Sequence, residues 1–236
     1  PPRRIARAGG VEAVLAAMRR HRAAAVVQEA ACGALWRAMA ECDANVVTAY
    51  TERGLDEVLR AMSAHVGFAG IQGAGCGALR LSASAFQTRV RQNVVKATEA
   101  AQTQQRAVET VIRAMRAHED SPLVQETACM ALMDWAADPS YRRAIGARGG
   151  VEAVLSALRL HEASVEIAEQ ACGALFNLAF VTENCEKIHN EGGVAVAGAA
   201  KRRHFLTSLD VIPRAEAMLV KVRAWERADA GDTSSS

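Results

Sequence analysis

Aromatic side chains are scarce: Trp, Tyr and Phe make up 4% of 236 residues, although half of the chain is hydrophobic. A core poor in rings is filled by alanine and leucine, which suits close-packed helices better than a sheet of branched and aromatic residues. An excess of charge is missing too. The formal net charge of +2 gives no electrostatic reason to expect nucleic acid or an anionic membrane as a partner. No apolar run reaches the ~18–20 residues that span a bilayer. The opening "PPRRIARAGG" holds neither Met nor a hydrophobic signal core and reads as a cut inside a longer protein. The closing "DAGDTSSS" is small and polar and reads as a disordered tail. HExxH, GxSxG and a nucleophile with an assigned base are also missing, so no catalytic residue is assigned.

What the chain does have is a phrase that returns. "QEAACGALW" begins at Gln28, "QGAGCGALR" at Gln72, "QETACMALM" at Gln125 and "EQACGALFN" at Glu169. The cysteines at their centres, Cys32, Cys76, Cys129 and Cys172, are 44, 53 and 43 residues apart. The glycines that open "GGVEAVL"-like segments (Gly10, Gly54, Gly150, Gly193) and the histidines His21, His65, His118, His161 and His204 keep the same register. A fixed period of this length marks stacked helical units.

Each unit reads as three helices. The middle one carries an apolar stripe at i, i+3, i+4 and i+7: Val11, Val14, Leu15, Met18; Leu55, Val58, Leu59, Met62; Val108, Val111, Ile112, Met115; Val151, Val154, Leu155, Leu158. The paired glycines allow a sharp turn from a short preceding helix such as "YRRAIGAR". The third helix carries the phrase. Ser164 and Ser121-Pro122 read as its start signals, and Ile167, Ala171, Ala174, Leu175 and Leu178 as its buried face.

One cysteine per layer is a poor arrangement for a disulfide, which needs Cα atoms within about 7 Å. It also cannot surround a tetrahedral metal. The four phrase cysteines therefore read as core filling, and Cys42 and Cys185, outside the register, as candidate exposed thiols. The histidines read as helix C-terminal caps rather than metal ligands. "GIQGAGCGAL" has the look of a phosphate loop, but no strand precedes it and no Lys-Ser or Lys-Thr follows. It reads as a glycine-rich and therefore soft helix. No cofactor or metal is called for.

A short helix, a Gly turn and two longer antiparallel helices resemble the armadillo repeat, and "GGVEAVL…VQE.ACGAL.NLA" is similar to that family's consensus. The resemblance implies an all-α fold, a right-handed α-solenoid with units at about 1–40, 41–83, 84–138 (lengthened), 139–181 and a degraded 182–226, then a disordered 227–236. The surplus in the third unit lies within 82–107, where the Gly turn is lost and an extended or continuous helix is expected. Third helices in this family line a concave groove that holds an extended peptide or a partner protein. The residues four apart on that helix are then the candidate groove: Glu29, Gly33, Arg37; Gly73, Gly77, Leu81; Glu126, Met130, Asp134; Glu169, Gly173, Asn177. The Trp/Asn ladder of the nuclear-import branch survives only at Asn177. The expectation is a non-catalytic protein-interaction scaffold in a reducing, cytoplasmic compartment (nucleus or cytoskeleton being further options), such as a structural subunit of a larger assembly. Partners would be proteins or extended peptides, not nucleic acid, with no insertion into a membrane. The alternatives are a nuclear-transport adaptor for basic peptides and the regulatory arm of an enzyme encoded outside this segment.

Overall fold

In the computed structural model, backbone is described for residues 9–91, 97–205 and 207–233, and side chains for 9–81, 102–205 and 207–229. All regular structure among the described residues is α-helical. The helices are α1 (Gly10–Arg20), α2 (Ala25–Glu41), α3 (Asp43–Thr51), α4 (Gly54–Ala64), α5 (Ala69–Arg91), α6 (Ala97–Ala117), α7 (Pro122–Ala136), α8 (Pro139–Ala147), α9 (Gly150–Leu160), α10 (Val165–Leu178), α11 (Thr182–Asn190), α12 (Gly193–Arg203) and α13 (Val211–Thr233). The chain divides into two compact bodies, residues 1–131 and 132–236.

The middle-helix stripes form the core as the periodicity predicts. Every residue of the stripes on α4, α6 and α9 is buried, as are Val11, Leu15 and Met18 of α1. Four of these helices (α1, α4, α9, α12) have the same length, 11 residues. On α10 the predicted face Ile167, Ala171, Ala174, Leu175 and Leu178 is buried, and the Ser164 hydroxyl caps the helix by accepting the Ile167 N–H at 3.2 Å. Helix α7 begins at Pro122, one residue after Ser121.

The glycine pairs divide two tasks between them. The first member takes the left-handed conformation that turns the chain: Gly9, Gly149 and Gly192 have φ of 69°, 82° and 69°. In the second repeat this place is held by Arg53, at φ 55°, which costs a non-glycine residue about 1 kcal/mol. The second member permits close approach. A Cβ on Gly54 would lie 2.7 Å from the Ala49 carbonyl oxygen, and one on Gly193 2.7 Å from that of Ile188.

The stretch without a glycine pair is built from two long helices, α5 of 23 residues and α6 of 21, so 82–91 and 97–107 are helical. The central part of the lengthened segment, 92–96, lies outside the described residues. At the other end α13 continues to Thr233, into the segment expected to be a disordered tail; 234–236 lie outside the described residues. The opening segment 1–8 does as well.

Candidate functional site

The repeats are held by two polar ties made by residues that recur in one register. The first is a buried glutamine four positions before each of the first three phrase cysteines. Gln28 Nε2 donates to the carbonyls of Met18 (3.0 Å) and His21 (2.8 Å). Gln72 does the same to Met62 (2.9 Å) and His65 (3.0 Å), and Gln125 to Met115 (2.9 Å) and His118 (2.8 Å). Each carboxamide thus satisfies carbonyls at the end of the middle helix, which an α-helix cannot satisfy internally. The second tie is histidine. His65 Nε2 donates to the Arg22 carbonyl at 2.8 Å, His118 Nε2 to Val66 at 2.6 Å and His204 Nε2 to Glu162 at 3.1 Å. Each accepting carbonyl follows the histidine of the preceding repeat. The backbone N–H of each histidine also closes its helix, as at His21 onto Ala17 (3.0 Å). The ring therefore joins layers, a role that the capping expectation did not include.

The four phrase cysteines are fully buried, and all six cysteines are free thiols. Burial pushes the thiols of Cys32, Cys76 and Cys172 up to about 12, so they are neutral fillers and not nucleophiles. Cys185 departs from expectation. It is buried, its Sγ donates to the Ala179 carbonyl at 3.0 Å, and burial raises its pKa. Cys42 is half-buried. Among the described residues no cluster of His, Cys, Asp and Glu could hold a metal ion.

The candidate groove residues fare differently in the two bodies. In the N-terminal body Glu29 and Arg37 are exposed, Gly33 is half-buried with open space where a side chain would project, and Glu126 and Met130 are half-buried. Gly73 and Gly77 are buried: Leu123 covers the first and the Trp36 ring the second. In the C-terminal body Asp134 is exposed, but α13 packs along α10. There the Glu169 carboxylate accepts the Ser208 hydroxyl at 2.6 Å, and Arg214 donates to the Glu169 carbonyl at 3.1 Å. Gly173 is buried against Met133. Asn177 Nδ2 donates to the Met133 carbonyl at 3.0 Å. Gly33 thus has open space beside it, whereas Gly77 and Gly173 do not. There a large residue of the preceding repeat (Trp36, Met133) fills the socket.

The same geometry gives the glycines of "GIQGAGCGAL" a packing role. Residues 71–79 are buried without exception, and a Cβ on Gly75 would lie 2.5 Å from Met62 Sδ. The glycines are sockets for neighbouring side chains. The segment is helical, so it is not a phosphate loop.

Two surface clusters escaped the sequence reading. In the N-terminal body the largely buried Glu57 carries three guanidinium neighbours, Arg60 (in contact), Arg19 (3.4 Å) and Arg22 (4.0 Å). Beside it Asp56 pairs with Arg53 (3.0 Å) and Arg106 (3.1 Å). Five arginines share two carboxylates, a local basic surplus that the whole-chain charge conceals. In the C-terminal body the exposed Phe180 ring has Lys221 Nζ 4.0 Å and the Arg142 guanidinium 4.7 Å from its centre, with Phe176 edge-on at 5.2 Å. The four-residue spacing in "FNLAF" could have flagged the two rings as neighbours, Phe176 in the last turn of α10 and Phe180 two residues beyond its end.

No family model matches this chain, and no curated protein does. Among solved structures it is similar to an engineered protein known from a crystal structure. The identity is 19%, over 92% of this chain and 97% of that one, with a TM-score of 0.52. At that identity the likeness speaks to the fold alone. No helix among the described residues is long and apolar enough to cross a membrane.

Proposed function

We propose that the chain is an armadillo-type α-solenoid acting as a non-catalytic protein-interaction scaffold, and that the outward stripe of its third helices takes up an extended segment of a partner protein. The observation that supports this most is the side-by-side packing of successive third helices, α2 with α5 and α10 with α13. This arrangement presents Glu29, Gly33 and Arg37 as an open stripe while the opposite faces hold the core. An open stripe of alternating charge with a gap at Gly33 suits an extended polar segment better than a small molecule. Each exposed contact contributes about 0.2–1 kcal/mol, so affinity comes from repetition and falls with salt. A reducing, cytoplasmic setting fits six free thiols, and a structural subunit of a larger assembly is the narrower form of the proposal. The import-adaptor alternative is weakened by Asn177, whose amide is engaged with Met133.

The test is to recover partners on the immobilised chain and repeat the capture with Glu29→Gln/Arg37→Gln/Glu126→Gln. A control carries Glu12→Gln/Glu186→Gln, on exposed positions outside the third helices. Loss of the partner in the first variant alone, at low salt, supports the stripe. Equal capture by both variants, with the fold intact, would move the partner to another surface.

A further inference from the structure

The basic cluster around Glu57 has a counterpart in the C-terminal body from which the carboxylate is missing. Glu57 stands three residues after Gly54 on α4 and pairs with Arg19 of the preceding middle helix, nine residues after Gly10. Arg19 is also anchored on the carbonyl of Glu52, two residues before Gly54. The same register in the fourth and fifth repeats gives Arg159, nine residues after Gly150, and Val196, three residues after Gly193. Arg159 makes the corresponding anchor, on the carbonyl of Glu191, two residues before Gly193. The guanidinium is thus placed as that of Arg19 is, but a valine stands where Glu57 supplies the charge. Among the described residues no carboxylate pairs with Arg159.

Arg159 and Val196 both line a cavity of about 170 Å³ between α9, α10 and α12. Its floor is apolar: Leu158, Ala168 and Ala200 are buried. Ala168 stands where the first three repeats carry Gln28, Gln72 and Gln125, so the third helix contributes only a methyl group here. The rim is charged and exposed, with Arg159, and with Glu162 and Arg203 paired at 2.9 Å. Two guanidiniums against one carboxylate leave this wall with an excess positive charge. Each guanidinium has five N–H donors. One terminal nitrogen of each is engaged, on the Glu191 carbonyl and on Glu162, and the others remain for a second acceptor. The volume corresponds to about five waters, room for a short aliphatic chain with one polar head.

We propose that this cavity binds a short aliphatic carboxylate, whose chain lies on Leu158, Ala168 and Ala200 and whose oxygens face Arg159 and Arg203, as the Glu57 carboxylate faces Arg19 and Arg60. The ligand supplies in trans the charge that Glu57 supplies in cis. The site is independent of the third-helix stripe. The carboxylate comes either from a free short-chain acid or from a glutamate side chain of a partner. Glu162 competes for Arg203, but an exposed pair of this kind is weak, and Arg159 has no such competitor.

Methyl NMR of the intact chain, following Leu158 and Val196 during titration, tests this with butyrate and the uncharged isostere butyramide as probes. Butyrate should give saturable shifts with a dissociation constant in roughly the millimolar range. Butyramide should bind roughly tenfold more weakly, because it forgoes the charge-assisted hydrogen bonds. Arg159→Gln should weaken butyrate about fivefold and leave butyramide unchanged. Glu162→Gln, which frees Arg203, should tighten butyrate. Val196→Glu, which restores the carboxylate in cis, should abolish the butyrate shifts at Leu158. Comparing butyrate with a capped Gly-Glu-Gly peptide identifies the source, the tighter binder naming it as free or peptide-borne. Absence of saturable shifts with butyrate, equal binding of butyramide, or unchanged butyrate affinity in Arg159→Gln would overturn the assignment.

Discussion

The turn at the end of α1 and the turn at the end of α9 make the same backbone hydrogen bonds, yet Gln28 ties the first to its third helix, and Ala168, which lines a cavity of about 170 Å³, has no amide to offer the second. The comparison separates what shapes the turn from what fastens it. The His N–H and the residue three beyond it suffice for the shape. The glutamine adds an attachment between the third helix and the middle helix, burying its own amide while satisfying two carbonyls. A repeat can lose that attachment and keep its geometry because the apolar stripe, complete in α9, still carries the packing. The difference between the two turns is therefore one of stability and of occupancy, and mutation can exchange them.

Removing the tie where it exists should have the largest effect. Gln125→Ala deletes two buried hydrogen bonds and leaves a cavity, so a loss of about 3 kcal/mol is expected in chemical denaturation. A change below 0.5 kcal/mol would mean that the tie is ornamental. The cysteine layer, which does not differ between the two turns, provides a shared baseline. The folded-state pKa of Cys32, Cys76 and Cys172 is raised from 9.0 to about 12. Their contribution is therefore complete below pH 9 and is lost as pH rises from there toward 12. At pH 10 each should cost on the order of 1 kcal/mol, seen as a falling denaturation midpoint. Cys→Ser variants in which that alkaline loss persists unchanged would contradict it. Installing the tie where it is missing, by Ala168→Gln, should stabilise by about 1 kcal/mol. The smallest effect belongs to the glycine turn: Arg53→Gly should relieve the left-handed strain and gain somewhat under 1 kcal/mol, because the exposed pair with Asp56 that it gives up is worth little.

How far the sequence revealed this depends on what kind of cue each feature needs. The stripes on α4, α6 and α9 were legible because burial follows a 3.6-residue period, which is a local property. The missing Gly turn likewise announced the long α5 and α6. The glutamines were in plain view, in register at Gln28, Gln72 and Gln125, but a Gln on a helix reads as a solvated polar residue. Only the neighbouring helix end, with its unsatisfied carbonyls, makes it a buried tie. The same holds for Gly73, Gly75 and Gly77. Propensity reads them only as helix-weakening, and that Leu123, Met62 and Trp36 occupy the space each glycine leaves is visible only in the packing. Cys185 was read as exposed because it breaks the cysteine register, yet the Ala179 carbonyl gives its thiol a buried partner. At the candidate groove, the four-residue spacing found the face. It could not show that α13 covers Glu169 and Gly173, because contacts between helices distant in sequence leave no local pattern.

The account stands most directly on the carboxamide ties, and side-chain amide hydrogen exchange reads them one by one. In the native chain the NH₂ groups of Gln28, Gln72 and Gln125 should be protected by at least a hundredfold against the exposed Gln102 and Gln105. Ala168→Gln should add a fourth protected group. Exchange of Gln28, Gln72 and Gln125 at the rate of Gln102 would contradict the account, since the amides would then be solvated and each third helix held to its middle helix by apolar packing alone.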